Sequence, residues 1–147
     1  MVKHVALILC LAACGSKSSP TTSPTQQATV TLPDLPFDEL DHDQKAEFMK
    51  QKVLPAMEPV FKNHDPEEFA EFTCKTCHGA QAAQGHFDMP NTELPKLNFN
   101  DMSKWKPEDL EWMQNEVKPT MAKLLSRPEF TPENPTGFGC QSCHTTE

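Results

Sequence analysis

Polar and apolar positions divide the chain into unlike stretches. Val5 to Leu11 is a short, unbroken apolar run behind Lys3. The stretch that follows, Gly15 to about Pro36, has no periodicity and too little apolar surface to order itself. From Asp41 onward the pattern becomes helical. Ala46, Met49, Val53, Met57 and Val60 are spaced 3, 4, 4 and 3 apart, which places them on one helix face. Leu110, Met113, Val117, Met121 and Leu124 repeat that spacing at an offset of 64. Phe72 and Phe138 each stand two residues before a cysteine. The chain therefore reads as an internal duplication, with units of about 41–79 and 106–145.

Helix ends support this reading. Asp41 with Gln44 makes an N-terminal capping box. Pro107, Glu108 and Asp109 suit a first turn, and Asp65-Pro66-Glu67-Glu68 predicts the start of a short helix. Pro55 and Pro119 fall inside the long helices and should kink them, because proline removes an amide donor and crowds the preceding turn. The segment from His78 to Lys106 reads as an irregular connection, and no strand is indicated. The predicted fold is all-α, each unit a long helix, a turn and a short helix.

Composition sharpens the picture. The formal charge of −8 argues against nucleic acid as a partner. A folded part of residues 37–147 is small enough to need internal staples. Lys3, the apolar run and the small residues after it have the layout of an export signal, too short to span a bilayer. Leu11-Ala12-Ala13-Cys14 resembles the lipobox of bacterial lipoproteins. That resemblance implies cleavage of residues 1–13 and acylation of Cys14, and the Ser, Thr and Pro content that follows makes residues 14–36 a lipidated N-terminus and flexible tether. Cys10 lies in the discarded part.

Four of the six cysteines remain. Cys74-Lys75-Thr76-Cys77-His78 and Cys140-Gln141-Ser142-Cys143-His144 both read C-x-x-C-H, the attachment sequence of c-type haem. Two thiols one turn apart add across two porphyrin vinyl groups, and the adjacent imidazole ligates iron. A redox disulfide or a four-cysteine zinc site needs no histidine. A histidine after both pairs by chance has a probability of roughly 1 in 600 given six histidines in the chain. Export agrees with haem attachment outside the cytoplasm.

The remaining iron ligands are expected upstream of each motif, since only three residues follow His144. Met57 lies 17 residues before Cys74, and Met121 lies 19 before Cys140. They are favoured over Met49 and Met113, two turns earlier, because they sit nearer the fold-back. His42, His64 and His86 are alternative donors, but none recurs in the second unit.

A long helix bearing methionine, a turn and a short C-x-x-C-H helix resembles the repeat of the tetrahaem cytochrome subunit of photosynthetic reaction centres. The similarity spans both units, Asp41 to His144, with two units present rather than four. It implies axial pairs of Met57 with His78 and Met121 with His144. The expectation is a dihaem, membrane-anchored electron-transfer lipoprotein of the bacterial cell envelope, facing the periplasm from the inner or outer membrane. Its redox donor and acceptor should present a basic patch to its acidic surface. The alternatives are a dihaem peroxidase-like enzyme or a gas or redox sensor, either of which needs an open iron.

Overall fold

The structure is a computed structural model and describes residues 31–147. The expected signal peptide, Cys14 and most of the expected tether lie outside the described residues. The described chain is helical and contains no named strand, only four isolated bridges between single residues. None of its helices is long and apolar enough to cross a membrane.

Asp41 starts the first long helix as expected. Its carboxylate accepts the Gln44 amide at 2.9 Å, and the Gln44 side chain accepts the Asp41 amide at 3.0 Å. Helix α1 runs His42–Phe48, a π turn covers Met49–Val53, and α2 continues through Leu54–His64. The second long helix has the same construction: α4 over Pro107–Trp112, a π turn over Met113–Val117, and α5 over Lys118–Leu124. Between them lies the short helix α3, Cys74–His78.

The expected proline kinks take this π form. Pro55 and Pro119 have no N–H for an α-type bond, so the residue before each reaches one carbonyl further back. Leu54 N–H donates to the Met49 carbonyl, and Lys118 N–H donates to that of Met113. The wider turn relieves the crowding without a break.

Two other expectations are corrected. Asp65 does not open the short helix; its carboxylate closes a turn by accepting the amides of Glu67 at 2.9 Å and Glu68 at 2.8 Å. The helix starts instead at Cys74, behind Thr73. The second motif forms only a 3-10 turn, Cys140–Ser142, because Gly139 offers no capping side chain where the first motif has Thr73.

The apolar stripes of both long helices face one continuous cluster that includes Val53, Met57, Phe61, Phe72, Trp112 and Phe138. α2 packs on the second π turn and α5 on the first, a reciprocal crossing. Phe61 sits among the rings of Phe69, Phe72 and Trp112, with centroids 4.8–5.0 Å away for all three. α5 ends through Ser126 in the left-handed region (φ 54°), and Arg127 N–H donates to the Ala122 carbonyl at 2.9 Å. The Arg127 guanidinium then grips the Asp38 carboxylate, tying the opening turn Phe37–Glu39 to the end of the second long helix.

Candidate functional site

The first C-x-x-C-H segment is a single capped helical turn. The Thr73 hydroxyl accepts the Lys75 amide at 3.3 Å, and the Thr76 hydroxyl accepts the Thr73 amide at 3.1 Å. Cysteines three apart therefore share one side of α3. Gly79 ends it at φ 71°, ψ −170°, a conformation almost confined to glycine. A Cβ there would also lie 2.6 Å from the Glu93 carboxylate, which accepts the Ala80 amide at 2.9 Å. Gly79→Ala should thus lower the unfolding free energy by about 1–3 kcal/mol. Thermal melting measures this, and an unchanged midpoint would refute both the strain and the crowding.

The second segment is held from its flanks. Gly139 N–H donates to the Ser142 hydroxyl at 3.1 Å, and His144 N–H donates to the Cys140 carbonyl at 2.9 Å. Beyond it the tail pairs with the connector, with Leu97 N–H on the Thr145 carbonyl at 2.9 Å and Glu147 N–H on the Leu97 carbonyl at 3.0 Å.

Each motif histidine is wedged by an aromatic edge from the connector. Phe87 meets His78 with centroids 5.4 Å apart, and Trp105 meets His144 at 5.6 Å, both at 82°. His144 Nδ1 lies 2.9 Å from the Pro95 carbonyl. A carbonyl only accepts, so Nδ1 donates and Nε2 keeps its lone pair for a metal. His78 Nδ1 is buried with no hydrogen-bond partner. Burial holds the His78 pKa below its ordinary value, with the facing Phe87 carbonyl opposing, so its imidazole favours the neutral, ligating form. An open cavity of about 360 Å³ lies beside it, lined by His86, Asp88, Asn91 and Glu93 among others.

All four motif thiols are free. The inner pair lies against the apolar cluster. Burial pushes Cys77 up to about 12 and Cys143 up to about 11. A zinc site would need these as thiolates, and among the described residues no three His, Cys, Asp or Glu side chains form a metal-holding group. In haem-free protein at pH 8, Cys77 should be alkylated roughly a thousandfold more slowly than an ordinary thiol, while exposed Cys140 reacts first. Peptide mass spectrometry over time checks the order; equal rates would remove the case for buried neutral thiols.

The methionines lie on the same cluster. Met57 is 2% exposed, and Met49, Met113 and Met121 are half-buried against it. Met49 and Met57 are eight residues apart, about 80° around an uninterrupted α-helix. The π turn absorbs one residue, so the step acts as seven and the angle closes to about 20°. The same holds for Met113 and Met121.

Of the other histidines, His64 is tied down: its Nε2 lies 2.9 Å from the Asp109 carboxylate, and its ring stacks parallel on Trp112 at 3.9 Å. His42 is exposed at the start of α1, and exposed His86 lines the cavity beside His78. Two pairs of free thiols, two imidazoles with an available ring nitrogen, and thioethers on the adjoining cluster match the donor set of c-type haem. Phe87, Asn91, Pro95 and Trp105 were not singled out by sequence as site residues, since they sit in an aperiodic connector.

Comparison with known proteins finds no matching family model, no matching curated protein and no matching solved structure.

Proposed function

We propose that the chain is a dihaem c-type cytochrome, an electron-transfer lipoprotein anchored through Cys14 in the bacterial cell envelope. The observation that supports it best is the pair of C-x-x-C-H segments, each with free thiols and an edge-wedged histidine. Haem, when bound, supplies a one-electron iron couple. Cys74 with Cys77, and Cys140 with Cys143, would hold it covalently. His78 and His144 would be proximal ligands, and Met57 and Met121 would fill the sixth positions and hold the potential up. The apolar cluster excludes water from the Met57 thioether and half-covers that of Met121. The acidic surface, including Glu108, Glu111 and Glu116 around the cleft at His64, suits a redox partner with a basic patch.

Visible spectra of oxidised and reduced protein, with and without carbon monoxide, test this reading. Two low-spin haems indifferent to carbon monoxide are expected, titrating in two one-electron steps. A wild type that binds carbon monoxide at one haem would instead favour a peroxidase-like enzyme or a gas sensor.

A further inference from the structure

Asn91 is the one buried polar or charged residue among the described residues, at 7% exposure. It lies in the connector, yet its hydrogen bonds run to both motifs. Its side-chain amide donates to the Cys77 carbonyl at 2.9 Å, and its backbone N–H donates to the Cys143 carbonyl at 2.9 Å. The remaining side-chain oxygen accepts the Glu93 amide at 2.9 Å. Glu93 in turn takes the Ala80 amide, two residues beyond the first motif.

We infer that Asn91 is a positioning residue that fixes the two C-x-x-C-H segments relative to each other. Resting on the dihaem reading, it therefore sets how strongly the two centres interact. The chemistry admits few substitutes. The site needs a donor toward the Cys77 carbonyl and an acceptor toward the Glu93 amide on one short side chain, which only the asparagine amide provides at that length. Aspartate would set a carboxylate against the carbonyl of Cys77, and leucine would leave both partners unsatisfied in a buried place. No other side chain hydrogen-bonds to a backbone carbonyl of either C-x-x-C-H segment among the described residues.

The experiment compares wild type, Asn91→Asp and Glu93→Ala, the last releasing the Ala80 end of the clasp at an exposed residue. Haem content is measured first; a wild type without two haems would refute the dihaem reading, while the positioning claim would still be read from hydrogen exchange. In wild-type protein the Asn91 backbone and side-chain amide protons should exchange as slowly as the buried helix amides, and rapid exchange overturns the clasp. In the haem-loaded variants each haem should keep its ligand spectrum while the separation between the two reduction steps shifts and magnetic coupling between the irons changes. Asn91→Asp should move both more than Glu93→Ala. A lower melting temperature with unchanged separation and unchanged coupling in both variants would mean a merely structural asparagine and overturn the proposal.

Discussion

A chain carrying Cys74→Ala together with Cys77→Ala should retain one haem after acid–acetone extraction where the wild type retains two. Thioether bonds survive denaturation, whereas ligation by histidine alone does not, so extraction reads covalent attachment directly. The double change removes both thiols of α3 and leaves Cys140 and Cys143 untouched, 66 residues away in sequence. The mirror variant, Cys140→Ala with Cys143→Ala, should also retain one. Single changes at Cys77 or Cys143 should impair one centre and spare the other. Cys77 and Cys143 both lie against the apolar cluster, and losing one sulfur there costs little packing compared with losing the porphyrin. Wild-type protein with one haem, or with bound zinc, would end the dihaem reading.

The second large effect is expected at Met57. Its side chain is 2% exposed within the apolar cluster, so Met57→Ala should cost about 2–5 kcal/mol in stability through the cavity it leaves. The same change should open one iron to carbon monoxide, at about one per chain. These two outcomes separate roles that coincide in the wild type. Met57→Leu keeps most of the volume, so it should cost less than about 1.5 kcal/mol yet lose the ferric methionine–iron charge-transfer band of one haem. Met57→His and Met121→His should each keep a six-coordinate iron and lower one step of the two-step titration, because imidazole favours ferric iron more than a thioether does. Met49→Leu and Met113→Leu should leave the band intact. If those leucine variants abolish it, the ligands are Met49 and Met113, which the π turns bring to nearly the same face.

What the sequence made legible is local or periodic. The Asp41–Gln44 box, Pro107 in the first turn and the two apolar stripes are short-range patterns, and the structure carries all of them. Pro55 and Pro119 announced a disturbance at the right place, but its form depends on whether the helix breaks or widens, and packing on both sides decides that. The missing helix at Cys140 turns on one residue, Gly139 where the first unit has Thr73. The role of Asn91 was hidden for a different reason. Its partners are 14 and 52 residues away along the chain, and an asparagine between proline and threonine reads only as a turn. The His64–Trp112 stack is likewise a contact between the two units at positions where their sequences differ.

Two copies of one unit should give two equal sites, with no preferred direction for a charge passed between them. The imidazoles break that equality. His144 is bonded through Nδ1 to the Pro95 carbonyl at 2.9 Å, while the Phe87 carbonyl faces His78 without closing a hydrogen bond to its Nδ1. A ring whose Nδ1–H is drawn toward an oxygen is the more basic donor and better supports the higher oxidation state of its metal. On the dihaem reading the C-terminal site is then the lower-potential one, and electrons entering there run downhill toward His78. If so, the lower step of the titration is the one that Met121→His displaces.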